Sequence, residues 1–329
     1  MQTQMLGTSG LEVTRIGYGC MLLGGAWDET PPADEVRKAA AASIEAALAE
    51  EINFFDHADI YTRGKSERVF GEYLKAHPRL RDRIYIQTKC GIRPAGSGDP
   101  KSPGRYDFSY EHIVRSAEGS LKRLQTDYLD VLLLHRPDVL AEPQEVARAF
   151  DDLHKAGKVR FFGVSNHTAA QIALLRKCVV QPIVANQVEL NLLHMDMIDA
   201  GIHWNLRGLT HTATGDGTLE YCRLHDITLQ SWSPLIRGML SGSSIRPDDP
   251  RSDRAKAAAP IVAEMAGQKG LSVEGLLIAW LLRHPARIQP IVGTRSPQRL
   301  AAACKGLSVS LTREEWYTLY VAGRGRALP

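Results

Sequence analysis

A (β/α)8 barrel with an N-terminal β-hairpin closing its floor is the fold that this sequence predicts. Two observations carry the prediction. Short apolar runs alternate eight times with longer helical segments, and several short runs, such as VLLLH at 131–135, are apolar at nearly every position. A strand buried on both faces needs that composition, because helices cover one side and the barrel interior the other. Alternation alone also suits an open doubly wound sheet, but the count of eight favours closure.

The elements follow in order. MQTQMLGTSGLEVTR reads as two short strands around a Gly-Thr-Ser-Gly turn, the hairpin of the floor. The first four pairs are TRIGYG with PADEVRKAAAASIEAALAEE, NFFD with SERVFGEYLKA, IYIQTK with SYEHIVRSAEGSLKRL, and VLLLH with PQEVARAFDDLHKAG. The last four are FFGVS with TAAQIALLRKC, IVANQVE with a longer irregular stretch, ITLQSWS with VEGLLIAWLLRH, and IQPIVG with PQRLAAAC. Gly201–Asp226 and Ile236–Asp253 are rich in Gly, Thr, Ser, Pro and Asp and read as loops beside the seventh strand. Neither a repeat nor a linker interrupts the alternation, so residues 1–329 read as a single domain.

Composition narrows the function classes. Hydrophobic residues make up 44% and charged residues 23%, which excludes a disordered chain. Forty basic and 37 acidic side chains are scattered without runs, which argues against nucleic acid as partner. The five cysteines lie far apart with no CxxC pair, as expected of reduced thiols in the cytoplasm. No segment approaches the roughly 18 apolar residues of a membrane span, and the first residues lack the apolar stretch of a signal peptide.

In a barrel, reactive groups gather just beyond the strand C-termini. Asp56 ends NFFD, Tyr61 lies in the loop after it, Lys89 closes IYIQTK, and His135 ends VLLLH. Together they suit proton donation to a carbonyl oxygen as hydride reaches its carbon. A phenol with a pKa of about 10 is a weak acid at neutral pH. A nearby ammonium favours the phenolate, and Asp56 holds that ammonium charged. His135 then orients the carbonyl. Singly, each residue also reads as a cap or a packing residue; four at one barrel end carry the inference. His57, Asp59 and His135 also permit a metal-hydrolase reading, which Lys89 disfavours by placing a positive charge beside the ion, so no metal is expected.

The segments NFFDHADIYTRGKSERVFGEYL, TKCG, SLKRLQTDYLDVLLLHRPD, GKVRFFGVSN, ANQVELN, SWSPL and IVGTRSP occur in one order over nearly the whole chain. In them the sequence resembles the aldo-keto reductase superfamily. With YxxGxSE and a brief C-terminal ending, it is most similar to the short-tailed bacterial-type oxidoreductases. The resemblance implies that Asp56, Tyr61, Lys89 and His135 form a catalytic tetrad with Tyr61 as general acid. It implies NADPH (NADP+) as cofactor, consistent with the absence of GxGxxG after a first strand. The substrate is then a small-molecule aldehyde or ketone. The alternative on the same fold is a non-catalytic module that senses nicotinamide nucleotides.

Further residues are assigned by the same resemblance. Ser165, Asn166 and Gln187 match positions that bind the nicotinamide carboxamide, and Asp56 adjoins that ring. Trp232 matches the stacking aromatic. Gly19, Cys20 and Met21 fall where backbone approaches the ribose. Ser233, Pro234, Leu235, Gly238 and Leu240 fall in the loop that crosses the pyrophosphate. Gly293, Thr294, Arg295 and Arg299 fall at the phosphate end, with Arg299 the match to the 2′-phosphate contact. Gly293-Thr294 replaces the Lys-Ser pair of many relatives, and alanines 302 and 303 stand where adenine is often contacted. Tyr18, Met21, Trp27 and Arg136, with Trp204 from the Gly201–Asp226 stretch, are expected on the substrate wall.

Overall fold

The computed structural model describes residues 1–202, 217–242 and 248–329. Eight parallel strands close a barrel in sequence order: β1 (Gly17–Gly19), β2 (Phe54–Asp56), β3 (Tyr85–Cys90), β4 (Leu129–Leu134), β5 (Val159–Ser165), β6 (Ile183–Glu189), β7 (Thr228–Trp232) and β8 (Gln289–Val292). Registers such as Lys89 opposite Leu133 and Asp56 opposite Gln87 set the strand ends level at one mouth. The closed barrel agrees with the expectation from sequence.

The continuous apolar run of β4 resolves into two faces. Val131 and Leu133 point inward with Phe54, Val184, Ala185 and Ile291, while Leu132 and Leu134 point outward to the helices. Outside, Phe150 of the helix Pro143–Lys155 stacks on Phe162 of β5, with centroids 3.9 Å apart. A helix starts wherever a side chain can take its first free N–H groups. Ser109, Thr168, Ser272, Ser296 and Thr312 each do so, ahead of the helices beginning at Tyr110, Ala169, Val273, Pro297 and Arg313.

The hairpin pairs Thr3–Met5 with Glu12–Thr14 and sends Leu6, Leu11 and Val13 into the inner cluster, so it plugs the barrel floor. Gly7 is required there. Its φ is +52°, and a Cβ would stand 2.5 Å from the Val184 carbonyl oxygen.

Three features depart from the sequence reading. Thr218–Leu224, inside the stretch read as a loop, forms a helix. A 17-residue helix, Ser252–Gln268, begins at the end of the second such stretch; its buried face of Ala255, Ala258, Val262 and Met265 is too small-sided to stand out, and Pro260 lies inside it. A short antiparallel pair, Ile92–Arg93 with Arg105–Tyr106, follows β3. Among the described residues no helix is long and apolar enough to cross a membrane.

Candidate active site

Asp56 is the last residue of β2, Lys89 stands one short of the end of β3, and His135 follows β4 directly. Tyr61 comes from the loop after β2, which turns tightly through left-handed backbone at Thr62, Arg63 and Gly64. Ser66 pins that loop to the first barrel loop by donating to the Met21 carbonyl at 3.0 Å.

Lys89 organises the group. Its ammonium is buried and donates to Asp56 Oδ2 at 2.8 Å, to the His57 carbonyl at 2.7 Å and to the Tyr61 hydroxyl at 2.9 Å. A buried lysine is tolerated only when its donors are occupied, as here. The His135 ring meets Tyr61 edge-on, with centroids 5.9 Å apart. The four residues singled out from sequence therefore meet at one point.

Their electrostatics refine the expectation for the phenol. Burial pushes the Tyr61 hydroxyl above its ordinary value, and Lys89 opposes this without cancelling it. Burial alone would lower Lys89, but Asp56 and Tyr61 more than offset it and hold the ammonium charged. His135 is driven well below the usual imidazole range by burial, then by Lys89 and Arg136, so it is neutral at physiological pH. A neutral imidazole has one donor and one acceptor nitrogen.

The metal reading finds no geometry. The His57 ring lies edge-on against Phe70 at 4.5 Å, and burial pushes it down to about 3. Asp59 is half-buried, with its Oδ1 out of solvent and the Glu67 charge acting on it. Among the described residues no group of three His, Cys, Asp or Glu is placed to hold an ion.

A cavity of about 850 Å³ opens above the four residues. Asp56, Tyr61 and His135 form its floor, and Ser165, Asn166, Gln187 and Trp232 one side. Asn166, at φ 60°, donates to the His135 carbonyl at 3.2 Å and accepts from Trp232 Nε1 at 3.1 Å, which fixes the indole. Gln187 Nε2 donates to Asp56 Oδ1 at 3.0 Å, leaving its Oε1 for the cavity. Ser233, Pro234, Leu235 and Gly238 strap one wall, with left-handed backbone at Ser233 and from Ile236 to Gly238. Gly293, Thr294, Arg295 and Arg299 line the far end, beside the helix that Ser296 caps. Gly19, Met21, Trp27 and Arg136 surround the mouth, where the Arg136 guanidinium lies 5.6 Å from the Trp232 ring centre.

An extended dinucleotide fits these walls. Gly19 and Gly293 face each other so closely that a Cβ on Gly19 would stand 3.2 Å from Ile291 Cγ2 and 3.5 Å from Gly293 Cα, which keeps the passage between β1 and β8 free of side chains. Amide and hydroxyl groups stand at one end. Arg295 and Arg299 are exposed at the other, with no ion pair to a carboxylate among the described residues.

Four assignments need correction or fall outside. Tyr18 is buried in the outer layer against Phe55, with its hydroxyl donated to the Thr294 carbonyl, and is not on the cavity wall. Strand alternation explains this: Gly17 and Gly19 take the inward positions of β1. Cys20 is also buried away from the cavity, its N–H given to the Asp56 carbonyl and its own carbonyl accepting from Leu23. Leu240 turns into the core because the segment kinks through left-handed backbone from Ile236 to Gly238, and the turn that follows buries Met239 and Leu240. Trp204 lies outside the described residues.

Sequence reasoning missed Leu22, Arg237, Glu274 and Ser296, which also line the cavity. It also missed Gln87 and Gln230, whose signal was an amide inside a buried strand.

Residues 15–320 match the model of the Aldo/keto reductase family. The chain is 36% identical to a 6-dehydroglucose reductase of Novosphingobium aromaticivorans, covering 99% of this chain and 97% of that protein. It is 35% identical to a 6-dehydroglucose reductase of Agrobacterium fabrum, with 96% of each covered. A solved glycerol dehydrogenase from Gluconobacter oxydans superposes with a TM-score of 0.80 at 26% identity, covering 99% of this chain and 96% of that one.

Proposed function

Because this chain belongs to the aldo/keto reductase family, an oxidoreductase family whose general chemistry is carbonyl reduction, we propose that it is an NADPH-dependent enzyme that reduces an aldehyde or ketone to the alcohol with Tyr61 as general acid. The observation that carries the reading is the 2.9 Å contact between the buried Lys89 ammonium and the Tyr61 hydroxyl, at the floor of a cavity of about 850 Å³.

Bound along that cavity, the nicotinamide cofactor supplies the hydride that the carbonyl carbon accepts. The residues of the chain do the rest. Neutral His135 presents an N–H to the carbonyl oxygen and orients it. Tyr61 gives its proton to that oxygen as negative charge develops, and Lys89, held charged by Asp56, stabilises the phenolate left behind. Hydride and proton together complete the alcohol, and solvent reprotonates Tyr61. Gln187, Ser165, Asn166 and Trp232 would hold the nicotinamide end. Arg295 and Arg299 would hold the phosphates, and two guanidinium groups at that end favour the additional 2′-phosphate of NADPH.

The relatives named 6-dehydroglucose reductase support a sugar aldehyde as the carbonyl substrate. The mouth suits one: the flat apolar faces of Trp27 and Trp232 match a sugar's C–H face, and Arg136 offers donors to its hydroxyls.

The test is an NADPH fluorescence titration, followed by absorbance assays of NADPH oxidation with sugar aldehydes, other aldehydes and ketones. Tyr61→Phe is expected to bind NADPH normally and lose turnover. Full turnover by that variant would refute Tyr61 as the acid, and NADPH binding without oxidation across the panel would favour a nucleotide-sensing module.

A further inference from the structure

From the cavity wall down beneath its floor, four buried glutamines from four strands form a continuous ladder: Gln187 of β6, which lines the cavity, and Gln87 of β3, Gln230 of β7 and Gln289 of β8 below it. Gln87 Nε2 donates to Asp56 Oδ1 at 2.6 Å and to Gln230 Oε1 at 2.8 Å. Gln187 Nε2 donates to the same two oxygens at 3.0 and 3.1 Å. Gln230 Nε2 donates to Gln289 Oε1 at 2.9 Å, and Gln289 Nε2 ends on the Thr14 carbonyl at 2.7 Å, in the floor hairpin.

The polarity of this chain follows from its lower end. A backbone carbonyl can only accept, so Gln289 must turn its nitrogen down to Thr14 and its oxygen up. Gln230 must then point its nitrogen down and its oxygen up, and that oxygen draws the nitrogens of Gln87 and Gln187. Both nitrogens face Asp56 Oδ1, which leaves Oδ2 to Lys89. The hairpin thus dictates, through side chains alone, which groups the Asp56 carboxylate meets. Packing does not require this: Val131 and Leu133 fill neighbouring inward positions with apolar side chains.

We propose that Gln87 and Gln230 are positioning residues for Tyr61: their ladder fixes Asp56 with one oxygen on Lys89 and takes up part of its charge on amide donors, leaving Lys89 to act on the Tyr61 hydroxyl. This rests on the reading of Tyr61 as general acid. Around the cluster the titratable groups are Cys20 beyond β1, His57 and Asp59 beyond β2, Lys89 and Cys90 on β3, and His135 beyond β4 with Arg136 behind it. Glu189, at the end of β6, pairs with Arg251.

The direction of the effect is fixed. The charge on Asp56 opposes the phenolate. Without amide donors that charge bears harder on Tyr61, which keeps its proton to higher pH. Reduction needs the phenol and alcohol oxidation the phenolate, so the alkaline limb of reduction moves up and oxidation at fixed pH slows.

The experiment compares Gln87→Met, Gln230→Met and Gln289→Met in the full-length protein. NADPH with para-nitrobenzaldehyde probes reduction and NADP+ with para-nitrobenzyl alcohol probes oxidation, across pH, with thermal melting of each variant. In Gln87→Met the alkaline limb is expected to move up by on the order of one pH unit, with oxidation slowed about tenfold. Gln230→Met should move it the same way by less, and carries the test alone if Gln87→Met does not fold. Gln289→Met removes the anchor on Thr14 and should move the limb the same way by the least, because Gln87 and Gln187 still donate to Asp56. A fall in melting temperature and rate at every pH, with no limb moved by Gln87→Met or Gln230→Met, would overturn the proposal and leave the ladder a structural feature. Turnover by Tyr61→Phe would instead overturn the underlying reading, so the two failures are distinct.

Discussion

The Asp56 carboxylate stays bonded even without its ion-pair partner. Lys89 Nζ reaches Oδ2 at 2.8 Å with both groups buried, while Gln87 and Gln187 occupy Oδ1. Lys89 likewise keeps two acceptors, the His57 carbonyl and the Tyr61 hydroxyl. Breaking a buried pair from one side costs about 3–5 kcal/mol, since a charge is left uncompensated.

Each side of the pair therefore keeps two neutral partners when the other is removed. Asp56→Ala, which strands the ammonium, is expected to lower unfolding free energy by about 3–5 kcal/mol. Lys89→Met should cost a similar amount, because the carboxylate keeps two amides as the ammonium keeps two acceptors. Both should abolish reduction. Urea unfolding measures both, and a clearly larger loss in Lys89→Met would show that the glutamines do not support Asp56.

The pH dependence of reduction follows from Tyr61 and His135. The phenol is raised, so its proton is retained above the ordinary tyrosine value. The imidazole is lowered far below its usual range, so it is neutral throughout the working pH. Reduction should show a plateau from about pH 6 upward, with its decline on the alkaline side only. A rate that falls as pH drops through about 6.5 would show that His135 titrates with its ordinary value.

Asp59 gives a stability effect separate from catalysis. Burial, then the charge of Glu67, pushes its carboxyl up to about 7. A carboxyl raised in the folded state binds its proton there more tightly than in the unfolded chain. Its stabilising contribution is present below the unfolded value and is lost as pH rises towards 7. Asp59→Asn removes this dependence and should stabilise the protein above pH 7 by on the order of 2 kcal/mol, with little change near pH 4. Thermal melting at several pH values tests it. An equal shift at both ends would mean packing and not ionisation is responsible.

The tetrad was legible because Asp56, Lys89 and His135 are polar residues at or beside strand ends, Tyr61 lies in the loop that follows one of them, and a parallel barrel sends all such ends to one mouth. The outer layer was less so. Tyr18 is adjacent to the motif glycines in sequence but takes the opposite face of β1, a parity that apolar character alone does not reveal. The helix Ser252–Gln268 was hidden by its own packing, since alanines seat it against its neighbours without a strong apolar stripe. The glutamine ladder could be seen only as amides in strands, because its meaning lies in side chains that meet from sites up to 143 residues apart.

At the far end of the cavity, cofactor preference depends on a balance of charge. Arg295 and Arg299 are exposed there, and the Glu274 carboxylate lines the same end from the next helix. A 2′-phosphate gains charge-assisted bonds from the guanidinium groups, and Glu274 repels it. Arg299→Ala is expected to weaken NADPH binding by about tenfold to a hundredfold, the value of one such bond, and to change NADH binding by less than about threefold. Glu274→Gln should tighten NADPH and leave NADH nearly unchanged. Fluorescence titrations with both nucleotides read each effect directly, and parallel losses of NADPH and NADH in Arg299→Ala would place that guanidinium on the shared pyrophosphate instead.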